Sequence, residues 1–182
     1  MTTADNKNIF FVTGASGVGK TTLISRLKEN FSQKADWIFL HFDSIGVPST
    51  KEMTKKYGSP SEWQKAITFK WITKLLNEYN EKNVIIFEGQ VNLEFIKQGF
   101  VQNNFSNYKT ILIHCDQQKM IQRLTDKRKQ PELATEDMKN WLAFLRKQAI
   151  EHGAEIIDTS DINEDEVVRK FEQILLDTGV TI

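Results

Sequence analysis

Five short apolar runs alternate along this chain with longer stretches of helical spacing. The runs are Ile9–Thr13, Trp37–Phe42, Asn83–Phe87, Thr110–His114 and Ala154–Ile157. The first is almost unbroken in its apolarity, which suits a parallel strand covered on both faces. Between the first two, Leu23, Leu27 and Phe31 recur at four-residue steps with Ile24 beside them, predicting a helix from about Gly19 to Asn30. Residues Ser44 to Gly58 read as a loop with a short helix. Ser59-Pro60-Ser61-Glu62 is a helix start, with Ser59 as cap, Pro60 at the first helical position and Glu62 three residues after the cap. The helix it opens runs to about Tyr79 and carries Trp63, Ile67, Trp71, Leu75 and Tyr79 on one side, a stripe read as core.

The second half repeats the scheme. A helix is expected around Leu93 to Gln98, with a turn at Gly99. Asp116 caps a helix from Gln117 to about Arg128, and Pro131 ends it or marks a turn. Thr135 caps the next, with Glu136 and Asp137 in its first turn, and Gly153 stops it. Asp161 with Glu164 opens the last helix, whose inner face is Val167, Val168, Phe171, Ile174 and Leu175. Strands alternating with helices predict an α/β fold of βαβ units with a mostly parallel sheet and right-handed crossovers. Met1 to Asn8 is a polar leader.

Composition narrows the picture. At 182 residues the chain suits one domain with a real core. Lys+Arg and Asp+Glu are 24 each, so net charge argues for neither nucleic acid nor an anionic membrane. The single cysteine, Cys115, excludes an intrachain disulfide framework and a cysteine-rich zinc site, and reads as a small buried hydrophobe. No run reaches transmembrane length and the leader has no apolar signal core, so a cytoplasmic enzyme, monomeric or homodimeric, is expected.

The chemistry concentrates after the first strand. Gly14-Ala15-Ser16-Gly17-Val18-Gly19-Lys20-Thr21 matches G-x-x-x-x-G-K-[ST] at every fixed position, between a strand and a helix, and Thr22 follows. Glycines let successive N–H groups curl toward one anion, and the new helix points its unpaired amides at the same place. Lys20 then reaches β- and γ-phosphates and Thr21 ligates Mg²⁺, so ATP and Mg²⁺ are the expected cofactors. Ligands of a parallel sheet gather at the carboxyl ends of its strands. Asp43 stands there after the second strand: it either caps a turn or binds and deprotonates a hydroxyl beside the γ-phosphate. Glu88, after the third, orients metal-bound water or holds the acceptor, with Gly89 allowing close backbone approach. Lys119, Arg123, Lys127, Arg128 and Lys129 form a basic segment, either a solvated face or a mobile cover. Arg123 and Arg128 are its candidates for phosphate. The three histidines have no metal-like spacing; His41 and His114 sit near strand ends, where packing or a local hydrogen bond suffices.

These features together resemble the P-loop kinases of the nucleoside monophosphate kinase type. The resemblance rests on Gly14 to Thr22, Asp43, Glu88-Gly89 where such kinases often have Asp-Gly, and the basic helix around Arg123 and Arg128. It implies a three-layer αβα fold with a five-stranded parallel sheet in order 2-3-1-4-5. It also implies an acceptor-side insertion at about 44–80 and a lid-like segment at about 117–134. Lys20, Asp43, Glu88, Arg123 and Arg128 would be catalytic, Thr21 and Glu88 would serve the metal, and Thr159 and Ser160 would lie against adenine. The implied reaction is phosphoryl transfer from Mg-ATP to a small hydroxyl- or phosphate-bearing metabolite. The alternative is a P-loop ATPase or nucleotide-binding switch acting on a macromolecular partner. No arginine lies between Asp43 and Glu88, unlike adenylate and guanylate kinases, which favours a smaller or less phosphorylated acceptor. Where a GTPase carries Asn-Lys-x-Asp, this chain reads His114-Cys115-Asp116-Gln117, against guanine specificity.

Overall fold

The first apolar run is too continuous for a half-exposed strand, and Ile9 to Thr13 are buried on both faces of the sheet. In the structure, a computed structural model that describes residues 7–182, β1 (Asn8–Thr13), β2 (Trp37–His41), β3 (Val84–Glu88), β4 (Tyr108–His114) and β5 (Glu155–Asp158) form one sheet in the order β2-β3-β1-β4-β5. All four pairings are parallel. Helices α1 (Lys20–Asn30), α2 (Thr50–Tyr57), α3 (Pro60–Asn77), α4 (Leu93–Gln102), α5 (Gln117–Gln122), α6 (Glu136–His152) and α7 (Glu164–Asp177) cover it. This is the expected three-layer α/β architecture.

Strand alternation divides the core in two. Phe10, Val12, Val84, Ile86, Ile111 and Ile113 face α1 and α7, where Leu23, Leu27, Val168, Phe171 and Leu175 meet them. Ile9, Phe11, Ile85 and Phe87 face α3 and α4. The aromatic stripe of α3 is core, as expected: Trp63, Ile67, Trp71 and Leu75 are buried. Trp71 Nε1 donates to the carbonyl of Phe42 at 3.0 Å, which satisfies the indole and anchors the chain just beyond β2.

Several local expectations are corrected. The polar leader lies outside the described residues as far as residue 6, but Lys7 and Asn8 belong to the fold. Lys7 is buried, and its ammonium donates to the carbonyls of Leu75 (3.2 Å) and Leu76 (3.1 Å) and to Asn80 Oδ1 (3.4 Å). A cation there meets the negative end of α3. Gly99 makes no turn. It lies inside α4, because a Cβ at that position would stand 2.4 Å from Ile72 Cδ1; its hydrogen side chain lets α3 and α4 pack closely. The helix after β4 is α-helical only through Gln122; residues Arg123–Lys127 widen into a π-turn, with the amide of Arg128 on the carbonyl of Arg123 at 3.0 Å. The last helix is capped by Asn163 in a reciprocal capping box with Glu166, not by Asp161.

Candidate active site

Among the described residues, six of the seven α-helices begin on a side chain that accepts a backbone N–H: Ser49, Ser59, Asn92, Asp116, Thr135 and Asn163. Helix α1 does not. Its cap is Gly19, at φ 107° and with no side-chain hydrogen bond, a backbone conformation that only glycine adopts without strain. The first-turn amides of α1 therefore keep their donors for another partner. The loop before them is tight: a Cβ on Gly14 would lie 2.4 Å from the carbonyl of Ile113. Lys20 folds over this loop, donating to the carbonyls of Gly14 (2.9 Å) and Ala15 (3.0 Å). Burial pulls its ammonium down to about 8, opposed by Glu88 and Asp43 and reinforced by Arg128.

Sheet register brings the carboxylates to the lysine. His41 on β2 and Val12 on β1 are the neighbours of Glu88 on β3, two residues before the loop begins. Alternation puts Glu88 on the α1 face, two residues beyond Ile86, and His41 with it, two beyond Phe39. His41 Nδ1 donates to Glu88 Oε1 at 3.0 Å. Asp43 follows in a single 3₁₀ turn, Phe42–Ile45. Among the described residues its carboxyl has no hydrogen-bond partner. Partial burial and the nearby Glu88 charge raise its pKa, against the pull of Lys20 and His41. Gly89 sets how near this turn approaches β3: a Cβ there would stand 2.5 Å from Phe42 Cβ.

On the other side of Lys20 a cavity of about 870 Å³ runs from the glycine loop to the segment after β5. Arg128 lines it. Arg123 lines it too, but is placed otherwise than expected. Its guanidinium donates to the carbonyl of Val18 (3.1 Å), to Thr159 Oγ1 (2.8 Å) and to the carbonyl of Thr159 (2.8 Å). The π-turn thus clasps the phosphate loop to the end of β5, and Arg123 is held instead of riding on a mobile cover. Thr159 is buried; its Oγ1 lies 2.9 Å from the carbonyl of Val18 and 3.0 Å from that of His114, and can donate to one of them. Ser160 does not line the cavity. Its hydroxyl donates to Asp158 Oδ1 (2.6 Å) and accepts the amide of Asp116 (2.8 Å), joining the ends of β4 and β5. Ile162 and Asn163 stand on that wall instead.

Sequence reasoning missed one more group. Gln64 on α3 donates to the carbonyl of Gln90 (3.1 Å) and accepts the amide of Asn92 (3.1 Å), while Ser16 Oγ donates to Gln90 Oε1 (3.1 Å). Helix α3 is thereby tied to the phosphate loop through the turn after β3. No spacing signal marks such a pair of glutamines. Cys115 is buried, as expected, and burial pushes its thiol up to about 11.

The donor set fits a magnesium nucleotide. Free α1 amides, Lys20 and Arg128 suit phosphate oxygens, and the Thr21 hydroxyl with Glu88 or Asp43 suits a hard cation. Among the described residues no group of three or more His, Cys, Asp or Glu could hold a metal.

The glycine loop, its lysine and the parallel sheet define a P-loop protein. More particularly, residues 10–142 match the AAA domain family, and the chain belongs to it. No curated protein sequence matches the chain. Among solved structures it is similar to the shikimate kinase from Acinetobacter baumannii in complex with shikimate, with 17% identity over 98% of this chain and 97% of that one, TM-score 0.61. It is also similar to a gluconokinase from Sinorhizobium meliloti 1021, with 14% identity over 94% and 93%, TM-score 0.64. The fold is the one these two kinases share. Among the described residues no helix is long and apolar enough to cross a membrane.

Proposed function

We propose that this protein is a cytoplasmic small-molecule kinase that transfers the γ-phosphoryl of Mg-ATP to a hydroxyl-bearing metabolite. The observation that carries the reading is the position of Lys20, between the nucleotide-sized cavity and the Asp43–Glu88 pair. A nucleotide switch needs the phosphate loop and one carboxylate for the metal's shell, a place Glu88 could fill; the second carboxylate, Asp43, is what goes beyond it. A carboxylate free to take a hydroxyl proton beside the lysine is what phosphoryl transfer to an acceptor uses. The kinase fold shared with the shikimate kinase and the gluconokinase supports the same reading.

Each residue then has a task. The loop amides and Lys20 hold the β- and γ-phosphates, and the cavity wall of Gln122, Thr159, Ile162, Asn163 and Val167 takes base and ribose. The acceptor oxygen bonds to the γ-phosphorus as the bond to the β,γ-bridging oxygen breaks; Asp43 takes the hydroxyl proton and ADP leaves with the bridging oxygen. Glu88, oriented by His41, fixes the acceptor or the metal's water. Arg128 faces the charge on the transferred group. Bound Mg²⁺ would neutralise charge on the phosphate oxygens. Arg123 and Thr159 keep the loop and the cavity wall in register. Residues 44–80 form the acceptor side and 117–134 the cover of one kinase domain.

The test is a metabolite panel with Mg-ATP, following ADP release and the product by ³¹P NMR. Acceptor-dependent ADP release with a phosphorylated product is expected. Hydrolysis stimulated only by a protein or a nucleic acid would overturn the reading.

Two further outcomes are expected. Lys20 titrates near 8 in the free protein, and a bound polyphosphate holds it charged. Mg-ATP affinity therefore falls as pH rises past that value, by up to about tenfold per pH unit, with uptake of a proton on binding. Calorimetry in two buffers of different ionisation enthalpy measures that proton; Lys20→Ala removes it. Gly89→Ala forces the Phe42 turn away from β3 and carries Asp43 with it. Stability should drop by about 1–3 kcal/mol in urea unfolding, and acceptor-dependent kcat/KM by about 10²-fold. Mg-ATP affinity should stay unchanged.

A further inference from the structure

The acceptor side of Lys20 is acidic and lacks a guanidinium. Three of the chain's five arginines are held elsewhere: Arg26 by Asp165 and Glu164, Arg146 by Asp158 at 3.5 Å, and Arg123 by Val18 and Thr159. Arg128 lines the nucleotide cavity and Arg169 is exposed on α7. The lysines nearest in the chain are no substitute. Lys51, Lys55 and Lys56 are exposed on α2, the last over the Tyr57 ring at 5.4 Å, and Lys65 lies over the rings of Phe69 and Phe95. The charged groups acting on Asp43 are Glu88, Lys20 and His41, and Lys20 belongs to the phosphates. What remains for an acceptor is the unpartnered Asp43 carboxyl and the free oxygen of a Glu88 whose other oxygen holds His41. Both accept hydrogen bonds from hydroxyl or ammonium groups.

We infer that the acceptor is a hydroxyl compound bearing no negative charge: a polyol, a nucleoside or an amine-bearing sugar, and neither a carboxylate nor a phosphate ester. The inference rests on the phosphoryl-transfer reading above and narrows it. An anionic acceptor would sit against two carboxylates whose neighbouring cations are already engaged, Lys20 by the phosphates and His41 by Glu88, and like charges repel. Shikimate and gluconate, both carboxylates, are therefore excluded here although the fold is shared.

The experiment uses the full chain with Mg-[γ-³²P]ATP and a bacterial metabolite extract split on a strong anion exchanger. Pure shikimate and gluconate run beside the fractions. Label should enter organic phosphate from the unretained, neutral and cationic fraction at least tenfold faster than from the retained one, with none entering shikimate or gluconate. Label arising mainly from the retained fraction, or entering either acid, overturns the inference and leaves the kinase reading standing. If neither fraction is labelled while Mg-ATP still binds by calorimetry, the kinase reading itself fails and the inference goes with it.

Discussion

Lys20→Ala is expected to lower phosphoryl transfer by about 10³-fold or more, while the circular dichroism and the cooperative urea transition stay close to those of the native protein. In the proposed reaction the lysine holds the charge of the transferred group from the loop; Arg128 faces that charge from the cavity wall but not from the loop, and Arg123 is committed to Val18 and Thr159. Its own contribution to stability is small, since its ammonium bonds only the Gly14 and Ala15 carbonyls and is half-discharged by pH 8 in the free protein. Steady-state kinetics with an active acceptor, beside a thermal shift on adding Mg-ATP, measures both halves. Near-native turnover in this variant would remove the phosphate loop from the mechanism.

Asp43→Asn separates the two sides of the site. The amide keeps the shape of the carboxylate but cannot take a proton. Acceptor-dependent kcat should fall by about 10²- to 10³-fold, with the Kd for Mg-ATP within about twofold of native. Glu88→Gln should act differently, because Glu88 is held by His41 at 3.0 Å and stands beside Lys20. Its loss frees the imidazole and removes a charge that sustains the lysine's proton, so both Mg-ATP affinity and kcat should weaken. A collapse of ATP affinity in Asp43→Asn with unchanged acceptor kinetics would withdraw the acceptor role from Asp43.

Most of the architecture was legible in the chain because parallel strands and covering helices write themselves in periodicity. Unbroken apolar runs mark strands buried on both faces, and four-residue spacing marks the buried stripes of α1 and α3. The phosphate loop was legible for a related reason. Its function lies in its own backbone, so consecutive residues carry the whole signal. Helix starts at Ser59, Asp116 and Thr135 were equally local, since a cap bonds an amide only two or three residues away. The interior glycine of α4 was misread as a turn because its reason, the side chain of Ile72, lies on another helix.

Contacts between distant segments needed the fold. The bond from His41 to Glu88 exists because register sets residues 47 positions apart on adjacent strands. The Gln64–Gln90–Ser16 bridge and the clasp of Arg123 on Val18 and Thr159 join segments with no shared pattern. Arg123 was assigned to a mobile cover from its neighbours in the chain, and only its neighbours in space show it fastened. Side-chain periodicity reports which face a residue presents. It carries nothing about which partner meets that face, and the chemistry of the acceptor depends on those partners.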